Sequence, residues 1–158
     1  MTITTSCDEL DELTEFDVDT TLQQNVQVSV ANGEFNETIT INLADDPDIA
    51  DNLDKIESVT INGAVYMVSS FTGDAETTGV VTVNAAGQAF GPFDHSFQQD
   101  LATQKSFFIG DSETLEPVRA NLAANNMLTL TISGTASDDI DNLELSIELD
   151  VTVRVDAA

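Results

Sequence analysis

Three groups of residues place chemistry-bearing side chains close together in this chain. The stretches 45–52 (DDPDIADN) and 137–142 (SDDIDN) each gather carboxylates, and hard cations such as calcium take about six to eight oxygen ligands of this kind. One reading is therefore a calcium site built from Asp45, Asp46, Asp48 and Asp51, or from Asp138, Asp139 and Asp141. The two stretches also resemble each other, DIADNL against DIDNL. Neither has the glycine and terminal glutamate spacing of an EF-hand, and the first reads equally well as the start of a helix. The second group is Asp94, His95 and Ser96, which has the composition of a hydrolase triad. On an extended chain Asp94 and Ser96 face one way and His95 the other, so the three cannot relay a proton among themselves. No GxSxG turn is present, and the expectation for His95 is a solvated side chain. The third is Cys7, the only cysteine, which leaves no disulfide within one chain.

Other catalytic signatures are missing. Glycine-rich phosphate loops, paired cysteines and HExxH do not occur, so no cofactor is expected apart from calcium, and no enzymatic activity. Carboxylate pairs carry no information, because 29 acidic residues in a chain of 158 place some pair at any chosen spacing by chance. Against those acids stand 4 basic residues, for a formal charge of −25, which repels phosphate backbones and anionic lipid heads. Nucleic acid is excluded as a partner on this ground. Salt screens such self-repulsion over about 8 Å at physiological strength, so a halophilic or marine setting, or divalent cations, suits the chain. No run approaches the roughly eighteen apolar residues of a membrane span, and Met1–Ser6 is too short and polar to read as a secretory signal.

The element that must organise the rest is the stretch from Leu143 to Val155. Leu143, Leu145, Ile147, Leu149, Val151, Val153 and Val155 alternate without a break with Glu144, Ser146, Glu148, Asp150, Thr152 and Arg154, the period-two pattern of a strand with one oily and one wet face. Burying the seven apolar side chains contributes roughly 10–20 kcal/mol, before the entropy of ordering the chain. At about 3.3 Å per residue the strand is longer than usual, so it is expected to bend between two sheets or to project past its domain. It is also the candidate assembly strand. Its acidic outer face, with Glu144, Glu148 and Asp150, opposes edge pairing between identical copies.

Other stretches carry weaker versions of the same pattern. Alternation predicts two strand segments over 16–30 with a kink near Gln23–Asn25, a turn at Asn32–Gly33, a strand to Leu43, and a strand or hairpin over 58–71 with a bulge or turn at Asn62–Gly63. Short strands are expected at 79–83 and from Leu128, and a loop over 85–92. Asp46 and Pro47 predict a short helix over 45–55, and Pro117 with Leu115, Val118 and Leu122 a second over 112–126, with Thr114 as its cap. Phe93, Phe97, Leu101, Phe107, Phe108 and Ile109 are expected to fill the interior, or Phe93 and Phe97 to line a groove. The fold class is all-β: an antiparallel β-sandwich of Greek-key or jelly-roll type with two short helices in connections. Residues 1–15 read as an acidic tether and 16–158 as one sandwich domain.

Thr4–Thr5–Ser6 before Cys7, and Asp8–Glu9–Leu10–Asp11–Glu12 after it, resemble the mature start of a bacterial lipoprotein. The acidic run is similar to the surface-export signal of lipoproteins in the Bacteroidota, although a threonine stands where leucine is usual and the apolar signal is missing. The strand texture at 58–73 and 122–135 and the terminal strand is similar to small exported β-sandwich lipoproteins of that group. The resemblance implies lipid attachment at Cys7, a lipid anchor to membrane and an extracellular or outer-surface location; it carries no site residues. Together these observations lead to the expectation of a non-enzymatic, exported or tethered β-sandwich that acts as a structural or interaction module, with a protein partner or by self-association. Two alternatives stand beside it: a subunit of an extracellular filament or shell that assembles by strand addition, and a calcium-assisted carbohydrate-binding or adhesin module using the Asp loops with Tyr66 or an exposed Phe.

Overall fold

The structure is a computed structural model and describes residues 15–156. Eight strands make up most of it: β1 (Glu15–Val28), β2 (Glu34–Asn42), β3 (Ile56–Gly73), β4 (Thr78–Ala85), β5 (Gln88–Ser96), β6 (Ser106–Asp111), β7 (Met127–Ala136) and β8 (Ile140–Asp156). They form two four-stranded antiparallel sheets, ordered β1-β8-β3-β6 and β2-β7-β4-β5. Every connection except the β4–β5 hairpin crosses from one sheet to the other, which is the double Greek key of a jelly roll.

β8 lies inside its sheet, paired along its length with β1 on one edge and β3 on the other. Its seven apolar side chains all face the second sheet, and none is more than 2% exposed. The strand therefore neither bends into the other sheet nor projects past the domain, contrary to expectation. Its neighbours are of matching length, 14 residues in β1 and 18 in β3, so the whole strand finds backbone partners. The same pairing corrects its reading as the assembly strand, because Leu143–Val155 has no free backbone edge to offer.

β1 runs in unbroken register with β8, without the kink expected at Gln23–Asn25. The polar residues there are absorbed by an edge strand: Gln23 donates to the Ser146 hydroxyl at 2.8 Å on the outer face, and Gln24 sits half-buried at the rim between inward Leu22 and Val26. β3 carries the anticipated irregularity at Asn62, between Ile61 and Gly63. The stretch expected as a loop over 85–92 is a hairpin instead. Ala86 and Gly87 both adopt positive φ, +50° and +77°, the two-residue primed turn that matches strand twist, and Pro92 falls on edge strand β5, where a missing N–H is tolerated.

Short helical pieces close the sandwich. Between β2 and β3, 3-10 turns at Leu43–Asp45 and Leu53–Lys55 flank α1 (Pro47–Ala50). Asp46 caps α1, accepting from the N–H groups of Asp48 at 2.9 Å and Ile49 at 3.2 Å, and Ile49 is fully buried. α2 (Phe97–Thr103) was not expected. α3 (Glu116–Asn125) starts later than its sequence suggests, because the Thr114 N–H and hydroxyl both engage Asp111 in a turn ahead of it. Val118 and Leu122 plug the core from α3, and Asn126 ends the helix at φ +58°. Of the aromatic group, Phe97 and Phe107 are interior as expected, whereas Phe108 on edge strand β6 is 61% exposed.

One close approach between sheet neighbours sets a strict limit on side-chain size. A Cβ on Gly134 of β7 would lie 1.9 Å from the Val80 carbonyl oxygen and 2.5 Å from the Phe35 ring. Gly134→Ala is expected to lower stability by about 3 kcal/mol or more, since backbone is the obstacle; urea unfolding monitored by circular dichroism measures it.

Candidate functional site

The chain's single histidine is the centre of a buried polar group. Strand parity sends the side chain of His95 inward from β5, while Asp94 and Ser96 point out. α2 begins directly after Ser96, and its first turn brings Asp100 back over the histidine. From the opposite sheet Tyr66 reaches across from β3. The Tyr66 hydroxyl lies 2.6 Å from His95 Nε2, and His95 Nδ1 lies 2.9 Å from Asp100 Oδ2, which also accepts the Ser96 N–H at 3.0 Å. A carboxylate only accepts, so Nδ1 carries the proton and donates to Asp100, while Nε2 accepts from the tyrosine. Phe97 stacks on the imidazole at 5.2 Å and 8°, and Phe107 covers it at 4.1 Å between ring centroids.

Burial dominates the electrostatics here. It lowers the His95 pKa despite the opposing charge and hydrogen bond of Asp100, so the ring is neutral. Burial, and then the Asp100 charge, push the Tyr66 phenol far above its ordinary range, so it stays a donor. The His95 side chain has no exposed surface, which corrects the solvated reading. It resembles a catalytic relay in its groups only. Both ring nitrogens are engaged, no substrate atom can reach them, and the chain of bonds links one sheet to the other.

On the solvent side of Asp100 lies a cleft of about 670 Å³ between α2, β4, β5 and the end of β7, with Ser96, Gln99, Thr103, Lys105 and Ser137 along its walls. Sequence reasoning found neither Tyr66 nor Asp100 as partners of His95. The available signal was Ser96 followed four residues later by Asp100, a helix start that folds a carboxylate back on the preceding strand.

The acidic loops are not brought together. Asp48 and Asp51 border a depression beside Asp17 and Asp19 of β1, next to Arg154 and Thr152 at the end of β8. Asp138, Asp139 and Asp141 flank the turn that begins β8, a full strand length away. Asp45 accepts the Asn42 N–H and Asp138 accepts from the Ser137 hydroxyl. The Thr20 hydroxyl, followed by the Ile49 and Asp48 N–H groups, holds Asp46 below its usual pKa. Among the described residues no three His, Cys, Asp or Glu side chains are grouped to hold a metal ion. Cys7 lies outside the described residues.

No protein-family model matches the sequence, and a search of curated proteins returns no relative. Among solved structures, a chain from one titled Desmodium yellow mottle tymovirus is similar with a TM-score of 0.45 and 10% identity, over 89% of this chain and 82% of that one. No helix among the described residues is long and apolar enough to cross a membrane.

Two measurements test the buried group. Tyr66→Phe leaves Nε2 without a donor in the core and is expected to cost about 1–3 kcal/mol in urea unfolding. Because folding depresses the His95 pKa below its ordinary 6.5, the unfolded chain takes the proton first on acidification. The contribution is full above that pH and is lost progressively as pH falls below it toward the lowered folded-state value. His95→Gln, in a chain with no other histidine, is expected to flatten that pH dependence.

Proposed function

We propose that this chain is a non-enzymatic interaction module that works by surface contact, pairing with a second copy through the backbone edge of β1. The observation that carries this reading is the character of that edge. β1 closes its sheet on one side and, among the described residues, no strand pairs with its outer edge; β2 of the other sheet lies beside it, and the α1 turn meets it through the Asp46–Thr20 hydrogen bond. It is 14 residues long, in regular register, with no proline, lysine or bulge to blunt it, and such edges are templates for strand addition. Its acids, Glu15, Asp17 and Asp19, occupy the first third; from Thr20 to Val28 it is uncharged and rich in Thr, Gln and Asn. Antiparallel pairing of these neutral halves about a two-fold axis keeps the acidic ends apart. The non-enzymatic part of the reading is supported by the sealing of His95.

Export and attachment through Cys7 remain part of the proposal and rest on residues 4–12. Intact mass of native material tests the lipid directly: an added acyl mass on Cys7 supports attachment, and an unmodified thiol removes it.

Self-repulsion from a charge of −25 sets the conditions for association. Light scattering is expected to give the 16.9 kDa monomer mass in low salt and a defined dimer or larger species in brine. Gln24→Lys, an inward-pointing charge on the edge strand, is expected to keep the protein monomeric in both. A monomer of wild-type protein in every buffer rejects pairing through β1.

A further inference from the structure

We propose that the cleft beside α2 binds a neutral polyhydroxylated ligand, a saccharide or sugar alcohol, with Asp100 and Lys105 as its two anchoring groups. Asp100 is 5% exposed. Its Oδ2 holds the His95 and Ser96 N–H groups, whereas Oδ1 takes no hydrogen bond among the described residues. That oxygen is not sealed in the core, and Asp100 forms part of the cleft wall, so Oδ1 is an unused acceptor turned to the cleft. A buried carboxylate with a neutral imidazole as its main partner gains strongly from one more donor.

Lys105 stands beside it. Its backbone N–H donates to the Asp100 carbonyl at 3.0 Å, and its ammonium rests 4.7 Å above the Phe107 ring, outside any ion pair among the described residues. A strong acceptor and a strong donor therefore start from neighbouring points of one short helix and its C-terminal cap. The surrounding wall supplies neutral groups that both donate and accept, the hydroxyls of Thr78 and Ser96 and the amide of Gln99, beside the Thr103 and Ser137 hydroxyls, which already donate to the Gln99 carbonyl and to Asp138. Vicinal hydroxyls match this set, one donating to Oδ1 while its neighbour accepts from Nζ.

Other ligand classes fit less well. Anions meet Asp94, Asp100 and the field of the whole protein. Simple amines meet Lys105, metal ions find no group of three ligands among the described residues, and the apolar side chains on the wall are only Val80 and Ala136. The volume, about 670 Å³, falls in the ordinary range of small-molecule sites. The site lies at the β4–β5 side of the sandwich, away from the β1 edge, and stands or falls independently of self-pairing.

The test is a titration of the full chain, labelled with nitrogen-15, with mannitol, glucose, maltose and, as a control, methylamine. Amide resonances of Ser96, Gln99 and Lys105 are followed up to about 100 mM, the range that detects weak single-site binding. Saturable shifts confined to the cleft with at least one polyol, weakened about tenfold or more in Lys105→Met, support the site. Gln99→Ala serves as a second variant that leaves the buried network untouched, and a weakening of about threefold or more is expected. Absence of saturable shifts with every polyol, an unchanged affinity in both variants, or a response to methylamine alone overturns it.

Discussion

Seven apolar side chains in strict alternation on β8 require a cover that reaches along the whole strand, and the backbone of a strand this long requires hydrogen-bond partners on both edges. The jelly roll meets both demands at once. β1 and β3, of comparable length, flank β8, and the shorter strands of the second sheet cover its inner face, with α3 and the helical β2–β3 connection filling beyond them. Because the strands of the two sheets alternate along the chain, no sheet can be completed before the other is under way. The fold is held by pairings between distant residues, with β1 and β8 joining the two ends of the described chain.

Within that apolar interior the Tyr66–His95–Asp100 group is a polar inclusion. In a low-dielectric core each of its members would be costly alone; together they satisfy one another and tie β3 in one sheet to β5 in the other. Aromatic rings pack around it, with Tyr66 stacked on Phe107 at 5.1 Å and against Phe93 at 5.3 Å. The single polar oxygen left open is the one on the cleft side of Asp100. Thus one residue belongs to both the cross-sheet link and the cleft beside α2, and a ligand there would bear on the stability of the whole sandwich.

Charge shapes the exterior as alternation shapes the interior. Arg154 is held by Glu15 and Asp17, and Arg119 by Glu116, so few cations remain to offset the acids. These surface pairs contribute little individually. Their arrangement matters more: acids concentrate at the ends of strands and on the outer face of β8, leaving the later part of β1 neutral.

From Leu143 to Val155 the sequence alone determined a strand, its buried face and, with the shorter alternating stretches, the all-β class, because a period of two is a local property of residue types. Asp46 with Pro47, and the bulge at Asn62–Gly63, were legible for the same reason. Tertiary structure alone decided that β8 is interior to its sheet, since pairing partners are set by residues far away in the chain. It also decided that His95 is buried. Parity showed that His95 faces away from Asp94 and Ser96, yet not which face the second sheet would cover, and the partner carboxylate arrives through a two-turn helix whose apolar pattern is too short to stand out. The acidic loops show the converse: similar in sequence, they lie at opposite ends of the longest strand, where their likeness brings no shared site.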